Sequence, residues 1–176
     1  MNRRKLILYI AVSLDGYIAT DEHKMDWLFA VEGEGDNGFA KFYDTIDTVL
    51  IGRTTYDWIL RHETVDSIYK DKECYIFTRT EKPAFNHITF IHDNAAGFVK
   101  ELKNKEGKNI WVVGGGELLQ IFMKEKLVDE LFVTIAPVLL GKGIPLFKDN
   151  DFQTRLLLKN INRYNQFVEL HYDVVR

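Results

Sequence analysis

Residues 109–123, NIWVVGGGELLQIFM, constrain the fold of this chain more than any other stretch. Ile110, Trp111, Val112 and Val113 form a short β-branched and aromatic run without charge, the pattern of a strand buried on both faces. Gly114, Gly115 and Gly116 follow. Leu118, Leu119, Phe122 and Met123 then recur at i, i+1, i+4 and i+5, as on the apolar side of a helix. A strand running through glycines into a helix brings bare backbone N–H groups and the positive end of a helix dipole to one place, which suits a phosphate. Without side chains, the backbone there is open to close approach by a pyrophosphate. The spacing is not GxGxxG, and three glycines also make an ordinary tight turn, so this stretch alone leaves both readings open.

The length, 176 residues, fits a single domain spanning 1–176 with a proper core. Hydrophobic residues at 46% and charged residues at 28% argue against disorder. A net charge of −3 gives no reason to expect a nucleic-acid partner, and the tightest basic group, Arg3, Arg4 and Lys5, is too short to form a binding face. The single cysteine, Cys74, excludes an intrachain disulfide and lies in an apolar run, which reads as a buried, inert thiol in a reducing cytoplasm. The basic residues before the apolar run 6–12 resemble a signal peptide superficially. That run is short and ends at Asp15-Gly16, so a first strand is the better reading. No stretch approaches the roughly 18 apolar residues of a membrane span, and no membrane partner is expected.

Strands are expected at 5–13, 48–51, 74–78, 88–91, 110–113 and 130–137, with a closing hairpin from 155–160 and 166–175 around a turn at 162–165. Between them lie a helix with Phe39, Phe42, Tyr43 and Ile46 on one side, a helix over 55–60, a polar linker over 61–73 and a helix capped by Asn94. Strands alternating with helices and closed by a hairpin indicate an α/β domain with a mostly parallel sheet and an antiparallel edge.

Three expected strands end in phosphate-friendly turns: Gly52-Arg53-Thr54-Thr55, Thr78-Arg79-Thr80 and Gly114-Gly115-Gly116. In a parallel sheet they share the carboxyl edge, where α/β proteins bind ligands. Each Thr offers a hydroxyl, and each Arg a planar fork that matches phosphate oxygens. The plainer reading makes the threonines caps and the arginines solvated. The five histidines lie singly, with no HxxxH or Cys/His spacing, so no metal site is expected; no GxSxG elbow for a hydrolase is present.

The segments SLDGYIA (13–19), VLIGRTTYD (49–57), VVGGGELLQIF (112–122) and DELFVTIAPVLLGKGIPLF (129–147) together resemble the dihydrofolate reductase superfamily. The last of them is similar to the branch typified by the C-terminal reductase domain of the bifunctional riboflavin-biosynthesis protein. The resemblance implies a three-layer fold with an eight-stranded, mostly parallel sheet and bound NADPH. Carried over by position, it assigns Arg53 to the 2′-phosphate, Thr55 to the pyrophosphate, with Gly52 and Thr54 in the same turn, and Thr78 and Arg79 to the adenine side, Arg79 being a second candidate for the 2′-phosphate. Gly114, Gly115, Gly116, Glu117 and Leu118 would cradle the pyrophosphate and ribose, and Ala11 and Ile18 would flank the nicotinamide.

The acceptor implied by the resemblance is a small nitrogen heterocycle, either a 5-amino-6-(5-phosphoribosylamino)uracil type or a dihydrofolate or pteridine type. The resemblance to dihydrofolate reductases implies an acid in the first long helix, held near a threonine on the sixth strand, that orients the acceptor. Thr134 matches the threonine, but Gly38 or Phe39 falls at the acid position. Asp36 is the nearest carboxylate and Asp15 a second candidate. The plainer readings are a helix cap for Asp36 and a turn residue for Asp15. Trp27 and Phe39 can stack on a planar ring or simply pack in the core. Lys142 is a candidate for a substrate phosphate. The resemblance also implies a homodimer. The alternative from another functional class is an NADPH-binding module without catalysis, in keeping with the missing helix acid.

Overall fold

The computed structural model of the chain describes residues 3–64 and 67–176; part of the polar linker expected at 61–73, residues 65 and 66, lies outside them. The elements run β1 (Leu6–Ser13), β2 (Tyr17–Ala19), α1 (Asp26–Phe29), α2 (Phe39–Tyr43), β3 (Ile46–Gly52), α3 (Arg53–Ile59), β4 (Glu73–Phe77) and β5 (Ile88–Ile91). They continue with α4 (Ala95–Leu102), β6 (Asn109–Gly114), α5 (Gly116–Lys124), β7 (Glu130–Ala136), β8 (Ile144–Pro145), β9 (Leu156–Tyr164) and β10 (Phe167–Val174). One eight-stranded sheet has the order β5-β4-β3-β6-β1-β7-β10-β9. The mostly parallel sheet with antiparallel C-terminal strands expected from the sequence is the one observed. No helix among the described residues is long and apolar enough to cross a membrane.

By internal contacts the chain divides into two compact units, Met1–Ile7 with Asp44–Asp129, and Leu8–Tyr43 with Glu130–Arg176. In the first, β3 pairs in parallel with β4 and β6, and β4 with β5. Val49, Leu50, Ile51, Ile76, Ile110 and Val112 are fully buried along these strands, which explains their unbroken apolar sequence. Helix α5 buries Leu118, Leu119, Phe122 and Met123, as their spacing anticipates. Asn94 caps α4, its side chain accepting from the Gly97 N–H at 2.9 Å. Cys74 is buried, and desolvation pushes its thiol up to about 12, so it stays protonated and unreactive near neutrality.

The most buried charge in this unit is Lys103, at the end of α4. Its Nζ donates to the Leu127 carbonyl at 2.6 Å and to the Asp129 carboxylate. Asp129 Oδ2 also accepts the Leu6 N–H at 2.7 Å, so one carboxylate fastens α4 to the start of β1. A second tie joins the chain's beginning to β3 and the 107–108 turn. There the buried Arg4 guanidinium donates to Asp47, to Thr48 Oγ1 at 2.6 Å and to the Lys108 carbonyl at 2.6 Å.

In the second unit, β10 pairs antiparallel with β7 on one side and β9 on the other. The hairpin turn is tighter than the sequence suggested. Tyr164 pairs directly with Phe167, so the loop is Asn165-Gln166, with Asn165 at φ 56°. Residues 162–164 stay in the strand because Asn162 and Tyr164 oppose Glu169 and Phe167 across the ladder. Leu158 pairs with Tyr172 and Asn160 with His171, which leaves Lys159 as a bulge residue. Tyr17–Ala19 pairs with Ile144–Pro145 in a small second sheet, an element too short to carry a periodicity in the sequence.

Helix α2 packs on the face of the hairpin sheet that carries Phe132 and His171. Tyr9 stacks on Phe42 (4.1 Å between ring centroids), and Phe132 stacks on His171 (3.9 Å). The alternating register therefore separates a helix-covered face, with Phe132, Thr134, Glu169 and His171, from the opposite face.

Removing one partner of a buried ion pair leaves the other charge uncompensated. Lys103→Met is therefore expected to lower unfolding stability by about 3 kcal/mol in urea denaturation. A loss below about 1 kcal/mol would mean that solvent compensates Asp129 as well as the lysine does.

Candidate functional site

Parallel pairing aligns Gly52 with Phe77 and Ile51 with Gly114, so the three turns that follow β3, β4 and β6 leave one sheet edge in one direction. Two of them touch through bare backbone. A Cβ on Gly115 would lie 3.2 Å from Gly52 Cα, and one on Gly52 would lie 3.3 Å from the Gly114 carbonyl oxygen. Gly115 also has φ 104°, where side chains are disfavoured. Beside it, a Cβ on Gly114 would meet Thr55 Oγ1 at 3.3 Å. Gly114 and Gly115 are thus required by close packing, and Gly115 by its dihedral angle as well.

Helix α5 starts here with Gly115 as its N-cap, and no side chain caps it. Its first N–H groups, the Gly115 turn and the Thr55 hydroxyl are donors gathered at one place, with the positive end of the helix dipole. The third turn reaches the same helix. The Arg79 guanidinium lies 3.5 Å from Glu117 and is 94% exposed. Thr78 Oγ1 accepts the Thr80 N–H at 3.3 Å, bending this turn. Arg53 is more engaged: its Nε donates to both Asp57 oxygens at 2.7 and 2.8 Å, one turn along α3. Thr54 is exposed, and Leu118 is buried under α5.

The second unit holds the remaining sequence candidates. Ala11 on β1 and Ile18 on β2 are partly exposed. Trp27 sits in α1, and its indole N–H is the one buried side-chain polar atom without a hydrogen-bond partner among the described residues. Phe39 opens α2 and packs on Tyr9 and Tyr43. Thr134 is buried on β7 opposite Glu169.

Neither sequence candidate for the acid has free oxygens. The Asp36 carboxylate accepts the Gly38 N–H at 3.0 Å and the Ala40 N–H at 2.7 Å, the cap anticipated for α2. Asp15 accepts from Ser13 Oγ at 2.6 Å, from the Leu140 N–H at 3.1 Å and from the Gly141 N–H at 2.7 Å. The Ser13 hydroxyl, followed by these backbone donors, holds the Asp15 carboxyl below its ordinary value. It is an anion that pins the 140–141 loop to the 13–17 turn, and Ser13 Oγ completes the clasp by accepting the Tyr17 N–H at 2.9 Å. Lys142 projects from this loop and is 88% exposed.

Of the two residues expected at the helix-acid position, Gly38 and Phe39, the first has a structural reason to be glycine. Gly38 has φ 80°, and a Cβ there would fall 2.3 Å from the Tyr164 hydroxyl. Tyr164 fills that place. Around it lie polar groups that the sequence reading did not single out. Glu169, only 3% exposed, accepts from Asn162 Nδ2 at 2.9 Å, and Tyr9 donates to the Asn37 carbonyl at 3.4 Å. Burial first, and the charge of Glu169 second, push the Tyr9 phenol well above its usual range. On the same face Glu130, His171 and Asp173 gather their ligand atoms within 4.8 Å. His171 Nε2 lies 3.0 Å from Glu130, and Lys159 Nζ lies 2.9 Å from Asp173, so both acids are already paired. Strand alternation was the available signal for all of these residues.

The Asp15 clasp predicts a pH response. A carboxylate whose folded pKa is lowered contributes fully above its unfolded value of about 3.9 and loses that contribution as pH falls through the lower folded value. Amide exchange at 140–141 is expected to stay slow at neutral pH and to rise at strongly acidic pH. Asp15→Ala should show the fast exchange at neutral pH; unchanged protection in the variant would show that the loop is held without the carboxylate.

Three comparisons bear on this geometry. The RibD C-terminal domain profile matches residues 4–170. The uncharacterised protein YwjB of Bacillus subtilis is 48% identical over 170 residues, covering 96% of this chain and 97% of that protein. YyaP of the same organism is 37% identical over 172 residues, covering 92% of this chain and 89% of that protein. A putative riboflavin biosynthesis protein from Shewanella sp. PV-4 superposes with a TM-score of 0.86 at 28% identity, over 98% of this chain and 99% of that one. Two more distant likenesses concern the fold alone. A diaminohydroxyphosphoribosylaminopyrimidine deaminase/5-amino-6-(5-phosphoribosylamino)uracil reductase from Thermotoga maritima has a TM-score of 0.72 at 16% identity, over 98% of this chain and 57% of that one. Enterococcus faecalis dihydrofolate reductase complexed with NADP(H) has a TM-score of 0.66 at 14% identity, over 98% of this chain and 97% of that one. With its sheet, its glycine turns and these matches in agreement, the chain belongs to the RibD C-terminal domain family.

Proposed function

We propose that the protein is an NADPH-dependent reductase acting on a small nitrogen heterocycle. The observation that carries this reading is the close approach of Gly52 to Gly115 beside the uncapped start of α5. A Cβ at either position would push the two turns apart, and the donors at the uncapped start of α5 suit a pyrophosphate. The Enterococcus dihydrofolate reductase, of the same fold, is complexed with NADP(H).

Within the first unit, the roles divide by availability. Gly114, Gly115, Gly116 and Thr55 offer donors to the pyrophosphate, with Glu117 and Leu118 continuing along the helix. Arg79, solvated and only loosely tied to Glu117, is the better partner for a 2′-phosphate; Arg53 is already half neutralised by Asp57. Thr78 shapes the turn that presents Arg79. When bound, NADPH supplies the hydride, and the protein's part is positioning and the exclusion of competing reactions.

For the acceptor, Trp27 and Phe39 supply planar faces and Thr134 a hydroxyl, and the unpartnered Trp27 indole N–H is a donor for a ring carbonyl or nitrogen. Ala11 and Ile18 stay the candidates for the nicotinamide side by position. Asp36 and Asp15 act as positioning residues, since their oxygens are occupied by backbone and hydroxyl donors. The proton that accompanies the hydride then comes from solvent. The reductase from Thermotoga maritima supports a uracil-type acceptor, and the dihydrofolate reductase a pteridine.

One observation favours a second reading, an NADPH-binding module without catalysis: of the two residues that fall at the helix-acid position, Gly38 and Phe39, the side-chain space of Gly38 is filled by Tyr164. Oxidation of NADPH with a panel of reducible pyrimidine and pteridine acceptors separates the two, because binding alone serves both.

Nucleotide selectivity tests the cofactor assignment. A charged hydrogen bond contributes about 1.5–3 kcal/mol, so Arg79→Ala is expected to weaken NADPH binding by roughly tenfold to hundredfold and leave NADH binding unchanged. Quenching of tryptophan fluorescence reads both. Arg53→Ala is expected to have the smaller effect. Failure of the folded protein to bind either nucleotide would leave only the shared fold.

A further inference from the structure

We infer that Glu169 on β10, with the Thr134 and Tyr164 hydroxyls beside it, forms a subsite for a lactam edge, a ring N–H adjoining a carbonyl, and holds the acceptor by it. The choice of ligand rests on the reductase reading, which the subsite deepens. Glu169 is 3% exposed and enters no ion pair among the described residues. Its one hydrogen bond there comes from Asn162 Nδ2, at 2.9 Å to Oε1. The other oxygen, Oε2, has no donor. A carboxylate oxygen removed from most of its water and left without a donor is costly, so a group that supplies an N–H is strongly favoured beside it.

That oxygen is not sealed in the core. The Trp27 indole nitrogen is the one fully buried side-chain polar atom without a partner among the described residues, so Oε2 reaches accessible space. The Thr134 and Tyr164 hydroxyls have no hydrogen-bond partner among those residues either, and each is likewise accessible, although Thr134 is only 7% exposed.

Strand register brings the three groups together. Thr134 and Glu169 are direct partners across β7 and β10, which sets their Cβ atoms about 5 Å apart on one face. Asn162 is the partner of Glu169 on β9, and Tyr164, two residues further on, shares that face as its diagonal neighbour. The Tyr164 ring reaches Gly38 at the start of α2. Burial first, and the charge of Glu169 second, raise the Tyr164 phenol, so it stays a donor.

One sheet face thus offers a carboxylate oxygen that no protein group fills, flanked by two hydroxyls able to donate. The matching ligand presents an N–H to the carboxylate and, next to it, a carbonyl to a hydroxyl. A hydrogen bond to a charged oxygen is about twice as strong as a neutral one, which makes the N–H the main anchor. Uracil and pteridinone rings both carry this edge, so the subsite serves either acceptor of the proposed function. An anionic edge would meet Glu169 with no cation to offset it.

Lumazine, a pteridine-2,4-dione with the uracil edge, and 3-methyllumazine, which lacks that ring N–H, are the probes, titrated by their own fluorescence. Lumazine is expected to bind at least tenfold more tightly. Glu169→Gln keeps the Asn162 bond through its carbonyl oxygen and turns an amide N–H toward the ligand. It should weaken lumazine by roughly tenfold to hundredfold, erase the difference between the probes and leave NADPH binding at the wild-type level. A role confined to holding Asn162 predicts lumazine binding unmoved by this variant, and that result would overturn the inference. So would equal binding of the two probes, or a wild type that binds NADPH and not lumazine. A wild type with the expected probe selectivity but no NADPH binding would sustain the subsite and sink the reductase reading. If the variant fails to fold, amide NMR of the wild type decides: lumazine should shift the amides at 133–135 and 168–170, and unmoved signals there overturn the subsite.

Discussion

The approach of Gly52 to Gly115 is the contact on which the rest of this sheet edge depends. Parallel pairing of β3 with β6 brings the ends of both strands to the same level. Their following turns then occupy nearly the same space, and only residues without Cβ atoms allow that. The result is a turn of bare, half-buried backbone at the positive end of α5, with Thr55 against its side. Sequence, strand pairing and chemistry meet at this point. A methyl group at either glycine would push the two turns apart.

The second unit follows a different logic, in which side chains that look catalytic in sequence are used as fasteners. Asp36 closes the first turn of α2 and Asp15 holds the 140–141 loop. The Tyr164 hydroxyl occupies the space where a Cβ on Gly38 would lie. Glu169 is buried and Tyr9 half-buried close to that place, where partial burial and the charge of Glu169 keep the phenol protonated. Polar character near α2 is thus supplied by strands rather than by the helix.

Much of the fold was legible because its strongest signals are local. The uncharged runs that became β3, β4 and β6 can only be satisfied when both faces are covered, and the apolar spacing of α5 and the Asn94 cap each announce a helix. What stayed hidden depends on distant partners. Tyr17–Ala19 becomes a strand only because Ile144–Pro145 lies beside it. The hairpin turn moved to Asn165-Gln166 because cross-strand pairing, rather than turn propensity, decides how far β9 runs. The Glu130, His171 and Asp173 group is divided between two strands 41 or more residues apart, so no spacing rule finds it. The turns at Gly52, Arg79 and Gly114 were readable for the opposite reason, since each carries its glycine or arginine within a few residues of a strand end.

Two-dimensional amide NMR during an NADPH titration tests the central claim most directly. The account predicts saturable shifts of amides at 53–55 and 115–118, smaller ones at 78–80, and none in the β9–β10 hairpin turn. It also predicts that inorganic pyrophosphate reproduces the 115–118 shifts at higher concentration. A folded protein whose 115–118 amides stay unmoved while NADPH binds elsewhere, or fails to bind, would contradict it.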